Sequence, residues 1–326
     1  MTKTAKVLLA LALLCAALVI GGAALGPGLA PRAMVGAAAG FVRGENLPAG
    51  VQAILSYRLT RLAAALVVGA ALATAGTSLQ ALLRNPLADP YILGIAAGGG
   101  FGAAVAATLG WGAGASFSGV NAMAFAGALL AVGAGYVVAR GAGILSVHAL
   151  LLAGVMVGAF FTSLILLLMA VAPVRDQHAV FLWLLGDLGS PDLTPAKVLF
   201  AGGVVALCVG GLFACHRALD VIVLGDEGAF HLGLNVERFK VGIIVLTSLA
   251  TAAVVALVGP IGFVGIVVPH ALRRIIGPRH GPLLIGAVLG GAALVTLGDT
   301  LVRAGGDYLE IPIVPVGVFT ALIGAP

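Results

Sequence analysis

Long runs of apolar residues fill this chain and leave it few ways to fold. Hydrophobic residues make up 61% of the sequence and charged residues only 9%, whereas a soluble domain carries roughly 25% charged residues. Backbone polar groups in lipid must be satisfied within the chain, which favours helices. The sequence therefore predicts an all-α polytopic membrane protein that forms a single transmembrane domain over residues 1–326.

The apolar runs predict about ten transmembrane helices per subunit, because a bilayer requires roughly 20 apolar residues for each span. The first run is longer than the apolar core of a secretory signal and is followed by many others, so we interpret it as a transmembrane helix. We expect the eighth span to be short and broken by Pro269, and the last to be truncated at Pro326. The predicted spans are 6–26, 62–83, 91–110, 119–139, 148–172, 196–215, 241–258, 261–276, 283–302 and 311–326.

The basic residues predict the orientation. With the N-terminus in the cytoplasm, ten of the 17 lysines and arginines fall on the inner side, as the positive-inside rule requires. The whole net charge of +5 then lies on the cytoplasmic side. This asymmetry accounts for the basic composition, so we expect no nucleic-acid partner.

The sequence lacks the patterns of a catalytic or metal site. The three cysteines lie in apolar runs without a CxxC pair, the histidines form no HExxH, and no serine lies in GxSxG. We therefore expect no catalytic residues, no metal and no cofactor bound by this chain.

A charged island interrupts the apolar pattern at about residues 220–240. It holds Asp226, Glu227, Glu237, Arg238 and Lys240. A charge at the bilayer centre costs roughly 3 kcal/mol on insertion scales, so this segment is expected in water, where another protein can reach it. The island is therefore interpreted as a docking surface.

Arginines mark the predicted outer ends of two spans. Arg58 and Arg61 are three residues apart and share a helix face, and Arg303 lies at the outer end of the ninth span. Two readings stay open at this point. The arginines either lie at lipid headgroups or form a basic platform for an acidic partner.

The inner end of the second span carries a turn with two prolines four residues apart, between Gly76 and Gly94. As a plain loop it only reverses the chain. As a functional element it shapes the inner mouth of a translocation path, with a glycine that lets the next helix approach closely. The candidate residues are Gln80, Arg84, Asn85, Pro86 and Gly94.

Several segments, taken in order, closely resemble the FecCD family, the permeases of bacterial ABC importers for iron-siderophores, haem and cobalamin. The resemblance spans nearly the whole chain. The segments are RLTRLAAALVVGAALATAGTSLQALLRNPLADPYILG, LLAGVMVGAFFTSL, WLLGDL, LGDEGAFHLGLNVERFK, GPIGFVGIVVPHALRRIIGPRHGPLL and PVGVFTALIGAP.

The resemblance implies a type II ABC importer permease fold in the bacterial inner membrane. It implies a homodimer, or a dimer with a related permease, with a translocation path at the interface. The other implied partners are two ABC ATPase subunits, a periplasmic or lipid-anchored substrate-binding protein, and membrane lipid. ATP and magnesium are used by the ATPase, and this chain is not an enzyme.

The resemblance also implies residue roles. The segment from Leu224 to Val236 is expected to form short coupling helices in a cleft of the ATPase. Arg58, Arg61 and Arg303 are expected to receive acidic residues on the two lobes of the binding protein. The implied coupling residues are Leu224, Gly225, Asp226, Glu227, Ala229, Leu232, Gly233 and Asn235.

Substrate and mechanism leave alternatives open. Some haem and cobalamin members carry an arginine a few residues before the tryptophan of the WLLGDL segment, where this chain has Gln177, His178 and Ala179. Iron-siderophore is therefore the first choice, with cobalamin and haem as alternatives. A secondary transporter driven by an ion gradient is the rival of another class, with Asp299 as its candidate coupling carboxylate; a purely structural subunit is a third.

Overall fold

The computed structural model describes residues 2–26, 28, 30–44, 47–111, 119–141, 146–190, 192–309 and 314–325. Within these ranges the chain is helical and has no strand, which confirms the all-α fold class. A 3₁₀ turn covers Pro90–Leu93. The helices are α1 Lys3–Ala24, α2 Pro31–Val42, α3 Ala49–Leu82, α4 Ile95–Thr108, α5 Gly119–Gly141, α6 Val147–Val171, α7 Val174–Leu184, α8 Pro195–Ala214, α9 His216–Ile222, α10 Asp226–His231, α11 Val236–Val258, α12 Val264–Ile276, α13 His280–Leu309 and α14 Val316–Gly324.

Among the described helices, seven are long and apolar enough to cross a membrane, namely α1, α3, α5, α6, α8, α11 and α13. Helices also occupy the other three predicted spans, but α4, α12 and α14 have only 14, 13 and 9 residues. These lengths fall short of the roughly 20 residues that a full crossing requires. Judged by length and composition, the described helices therefore give seven spans, fewer than the predicted ten or so.

Helix α3 forms the centre of the bundle, and α8, α11, α12 and α13 pack around it. Its 34 residues give a length of about 51 Å, so it extends well beyond the predicted span 62–83. Three buried hydroxyls on α3 are satisfied by carbonyls of the same helix: Thr74 donates to Ala70 O, Thr77 to Ala73 O and Ser78 to Thr74 O. These three hydroxyls can therefore be buried in the middle of the bundle without losing their hydrogen bonds.

We call the end of the bundle that carries the N-terminus of α1 the inner end, after the predicted orientation, and the opposite end the outer end. Helix α1 lies at the periphery and packs mainly against α13. Most of its surface is exposed.

Glycines bring helix backbones into direct contact inside the bundle. A Cβ atom on Gly69 of α3 would lie 2.1 Å from the carbonyl oxygen of Gly291 in α13. A Cβ atom on Gly76 would lie 2.0 Å from the carbonyl oxygen of Gly265 in α12. Small residues at these crossings allow the close packing that membrane helices use.

The chain breaks between α11 and α12, and this break is enclosed by protein. Phe263 has a left-handed φ of 67°. The Tyr91 hydroxyl accepts the N–H of Ile261 at 2.9 Å and donates to its carbonyl at 3.1 Å. Irregular backbone at this depth is tolerated where protein satisfies its polar groups.

The predicted break at Pro269 is wrong, because α12 continues through this residue. Proline lacks the N–H that would bond the carbonyl four residues earlier, which belongs to Gly265. The Gln80 side chain of α3 donates its Nε2 to that carbonyl at 3.2 Å instead. A neighbouring helix therefore supplies the hydrogen bond that Pro269 cannot make.

Two helices lie in the long outer loops. Helix α2 lies between α1 and α3, in a loop of which residues 27, 29, 45 and 46 lie outside the described residues. Trp183, near the end of α7, is half-buried and packs against the core beside Ala103 and Ala256. It therefore packs in the bundle.

Candidate functional site

Residues 216–235, which we call the inner segment, cross the inner end between α8 and α11. Gly225 and Gly233 have φ values of 104° and 85°, a left-handed backbone that suits glycine. The chain therefore turns sharply on both sides of α10. Of the short helices expected within Leu224–Val236, α10 lies there, whereas α9 lies upstream of it. The coupling role of this segment stays a prediction.

The inner segment is fixed to the bundle by buried contacts. Ala229 of α10 is fully buried. Asp226 forms a salt bridge with Lys240 of α11, and the Asn235 side chain accepts the N–H of Arg238 to cap α11. The sequence predicted Lys240 as an exposed charge, but its side chain is buried.

Three large apolar side chains of the inner segment are mostly exposed. Leu224, Phe230 and Leu232 have exposed fractions of 67%, 69% and 64%. Glu227, Gly233 and Asn235 are also exposed. We call the apolar set Leu224, Phe230 and Leu232 the inner patch. Exposed apolar side chains on a charged segment that is not expected in lipid indicate a protein contact.

The three arginines at the outer end are buried. The exposed fractions of Arg58, Arg61 and Arg303 are 2%, 1% and 1%. Arg61 Nε lies 2.6 Å from Asp299 Oδ1, and Arg303 Nε lies 2.9 Å from Asp299 Oδ2. Asp299 itself has no exposed surface. We call these four residues the arginine cluster.

Two members of the arginine cluster hold the end of α1. The last carbonyls of a helix have no partner within it and carry partial negative charge. The guanidinium groups donate hydrogen bonds to these carbonyls and offset their partial negative charge, and they thereby attach α1 to α3 and α13. Arg58 donates to Ala23 O at 3.1 Å, Ala24 O at 3.0 Å and Gly26 O at 2.5 Å, and Arg303 donates to Gly22 O and Leu25 O, both at 3.0 Å.

In this conformation these side chains therefore do not form the exposed basic platform that the sequence suggested. They are also too deeply buried to lie at lipid headgroups. Arg61 and Arg303 are paired with Asp299 inside the subunit, and the end of α1 covers Arg58 and Arg303. Their role in docking a binding protein stays a prediction. Asp299 has both carboxylate oxygens occupied by arginines, which argues against its use as an ion-coupling group.

The candidate residues of the inner mouth fall into two groups. Gln80 is buried and accepts a hydrogen bond from Arg273 Nη1 at 2.6 Å, so it does not line an open path within this subunit. Gly94 has a φ of 80°, a backbone conformation that favours glycine, but a Cβ atom there would meet only an ordinary contact with the carbonyl oxygen of Gly154 in α6 at 3.5 Å. The path itself stays a prediction.

The remaining candidates, Arg84, Asn85 and Pro86, form a turn at the inner surface. Arg84 has a φ of 50°, and its guanidinium lies beside Gly225 of the inner segment. Asn85 Oδ1 accepts the N–H of Leu87 at 3.0 Å. The turn is thus next to the inner segment, a proximity that sequence spacing alone could not show.

The same turn ends at a partly buried acid. Asp89 accepts the N–H of Tyr91 at 2.8 Å and caps the 3₁₀ turn. Burial raises the pKa of the Asp89 carboxyl, and the hydrogen bond from Tyr91 partly opposes this rise. Among the described residues, no group of three or more histidines, cysteines or acids could hold a metal ion.

Comparisons with known proteins identify relatives of this chain. The model of the FecCD transport family matches residues 8–326. A cobalamin import system permease protein of Halobacterium salinarum is 38% identical over 86% of this chain and 73% of its own length. An Fe(3+) dicitrate transport system permease protein of Escherichia coli is 38% identical over 84% of this chain and 82% of its own.

A solved structure resembles the whole fold. It is described as an inward-facing conformation of a putative metal-chelate type ABC transporter. The TM-score is 0.83 at 27% sequence identity, and the match covers 99% of this chain and 97% of the other.

Proposed function

This chain belongs to the FecCD transport family, and we propose that it is the permease subunit of an ATP-driven ABC importer for an iron chelate of the siderophore type. The proposal includes a homodimer in the bacterial inner membrane with cytoplasmic N-termini. A separate ATPase pair at the inner end hydrolyses ATP, and a substrate-binding protein delivers the chelate at the outer end.

The observation that carries this proposal is the inner patch. Its leucines and phenylalanine are exposed beside charged groups, and the short helix beneath them is fixed by the Asp226–Lys240 salt bridge. A surface of this kind suits a partner that both binds and pushes, because its apolar area supports binding and its rigid base transmits force. The ATPase is the partner that fits these two properties.

A pair of substitutions tests the ATPase contact. Leu224→Asp and Leu232→Asp place charges on the inner patch without touching the core. Burying a leucine contributes about 1.5–3 kcal/mol, so each variant is expected to weaken ATPase binding at least about tenfold. The measurement is the amount of ATPase that copurifies with the tagged chain in mild detergent.

Leu109→Asp is the matched control, because Leu109 is an exposed leucine at the outer end of α4. It is expected to leave ATPase copurification unchanged. Equal ATPase capture by all three variants and the wild type would contradict the assignment of the inner patch.

The outer end of the bundle is proposed to receive the binding protein. Because Arg58, Arg61 and Arg303 are occupied by Asp299 and the end of α1, docking through them requires these side chains to leave their buried positions. The proposal for the arginines therefore includes a rearrangement at the outer end.

The names of the relatives give several substrates and do not single out one of them. Permeases whose names specify cobalamin and iron dicitrate are equally identical to this chain, and the matched structure is named for metal chelates. Our choice of an iron chelate rests on the Gln177–Ala179 sequence near the WLLGDL segment. Cobalamin and haem remain the alternatives within the same architecture.

Competition of uptake separates these substrates. Cells that express the chain with its partners are expected to accumulate radiolabelled iron from a ferric siderophore, with little inhibition by cobalamin or haemin. Strong accumulation of cobalamin or haemin instead, with no iron uptake, would overturn the iron assignment and leave the importer intact.

A further inference from the structure

The inner segment is joined to α13 by one carboxylate. Asp220 of α9 accepts the backbone N–H of His280 at 2.9 Å and its ring Nδ1 at 2.6 Å, both at the same Oδ1 atom. A carboxylate oxygen only accepts, so the imidazole donates from Nδ1. His280 is buried and Asp220 is partly exposed.

This contact is a helix cap supplied by another helix. His280 is the first residue of α13, and the first N–H groups of a helix lack partners within it. A negative charge at this end is also favoured by the helix dipole. Asp220 supplies both the acceptor and the negative charge, although it lies 60 residues earlier in the sequence. Helix α9 and the start of α13 are therefore held together.

A second contact supports the same junction. The next residue of α13, Gly281, lies against the imidazole of His216, the first residue of α9, where a Cβ atom would be only 3.1 Å from His216 Cδ2. The His216 ring is in turn stacked on Phe213 of α8. The start of α13 is therefore packed directly on α9.

Helix α13 runs from this junction to the arginine cluster. Its 30 residues span about 45 Å, and it contacts α3 through Gly291 on the way. Near its outer end it carries Asp299 and Arg303, which hold α3 and α1. One continuous helix thus connects the inner segment with the outer end.

We propose that Asp220 and His280 form a mechanical joint that transmits movement of the inner segment to α13 and, through it, to the outer end. This inference rests on the proposed function, because the ATPase supplies the movement. Asp220 and His280 act as positioning residues. The Asp226–Lys240 salt bridge joins the same segment to α11, so the joint gives the segment a second attachment.

The test measures nucleotide-dependent movement at the outer end. The complex of chain and ATPase is reconstituted in liposomes, in a background whose three cysteines are replaced by alanine. Spin labels are placed at Leu301 of α13 and Leu167 of α6, which are both exposed. The distance between the labels is compared without nucleotide and with ATP plus vanadate.

The variants are Asp220→Ala, His280→Ala, the double substitution and Asp220→Asn. The alanine variants are expected to bind the ATPase but lose the nucleotide-dependent change in label distance. The double variant should be no worse than either single one, because residues of one joint do not act additively. Asp220→Asn keeps an acceptor oxygen and should retain part of the change.

Arg217→Ala is the matched control, since Arg217 is exposed on the same helix and its loss also removes a charge. It should respond like the wild type. Thermal unfolding checks each variant. If the alanine variants do not fold, Asp220→Leu replaces them, because it has a similar shape and accepts no hydrogen bond, and a wild-type response of this variant overturns the joint.

The joint is also overturned if the alanine variants retain the full distance change, or if each removes only part of the change and the two effects add in the double variant, which would show that the residues act independently. A wild-type chain that binds no ATPase contradicts the proposed function itself. These failures are therefore distinguishable in one experiment.

Discussion

Replacing Asp299 by alanine is expected to remove most of the folded protein. The substitution leaves the guanidinium groups of Arg61 and Arg303 buried without the carboxylate that binds them both. Breaking a buried ion pair by removing one partner costs about 3–5 kcal/mol, whereas whole domains are stable by only about 5–15 kcal/mol. The loss should also free the end of α1, because Arg303 is held by Asp299 while it binds Gly22 and Leu25.

The measurement is the yield of monodisperse protein in mild detergent together with its midpoint of thermal unfolding. Asp192→Ala is the control, because Asp192 is an exposed acid near the same end, and it should change the midpoint little. Asp299→Asn keeps one acceptor oxygen, so its midpoint of thermal unfolding should lie between those of the wild type and Asp299→Ala. Normal yield and midpoint for Asp299→Ala would contradict a structural role for the arginine cluster.

Adding one methyl group at Gly76 is expected to have a comparable effect. In Gly76→Ala the new Cβ would lie 2.0 Å from the carbonyl oxygen of Gly265, a backbone atom that no rotamer change can move away. Helices α3 and α12 would have to separate, which also strains the hydrogen bond from Gln80 to Gly265. Overpacking alone costs about 1–3 kcal/mol, and occasionally more.

Gly203→Ala provides the matched comparison in α8, because nothing lies within 4 Å of the position of its Cβ. Alanine is favoured over glycine in a helix by about 1 kcal/mol, so this variant should be as stable as the wild type or more so. Thermal unfolding in detergent compares the two. Equal midpoints for Gly76→Ala and Gly203→Ala would refute the close crossing of α3 and α12.

Sequence reasoning located the helices and the charged segment because both depend on local composition. The run of apolar residues marks each span, and the charges near Asp226 cannot lie in hydrocarbon. These features follow from the residues themselves, without knowledge of their neighbours.

Features that depend on distant partners were misread. Arg58 and Arg61 looked exposed because nothing local shows that the end of α1 covers them, although the four-residue spacing of Asp299 and Arg303 was an available signal of an ion pair. Pro269 looked like a helix break because its compensating donor, Gln80, is 189 residues earlier in the chain. Tertiary contacts decided these cases.

The junction at His280 was missed for the same reason. Asp220 and His280 are ordinary residues in their local sequence, and only the fold brings the carboxylate to the start of α13. Lys240 likewise looked like a solvated charge until its salt bridge with Asp226 was seen.

The most direct test of the central claim is to purify the tagged chain from its native membrane in mild detergent and to count its partners by mass spectrometry. The proposed importer predicts an ABC ATPase in equal stoichiometry with the permease, lost on Leu224→Asp and retained on Leu109→Asp. A homodimer without ATPase that transports substrate in liposomes along an ion gradient would contradict the account.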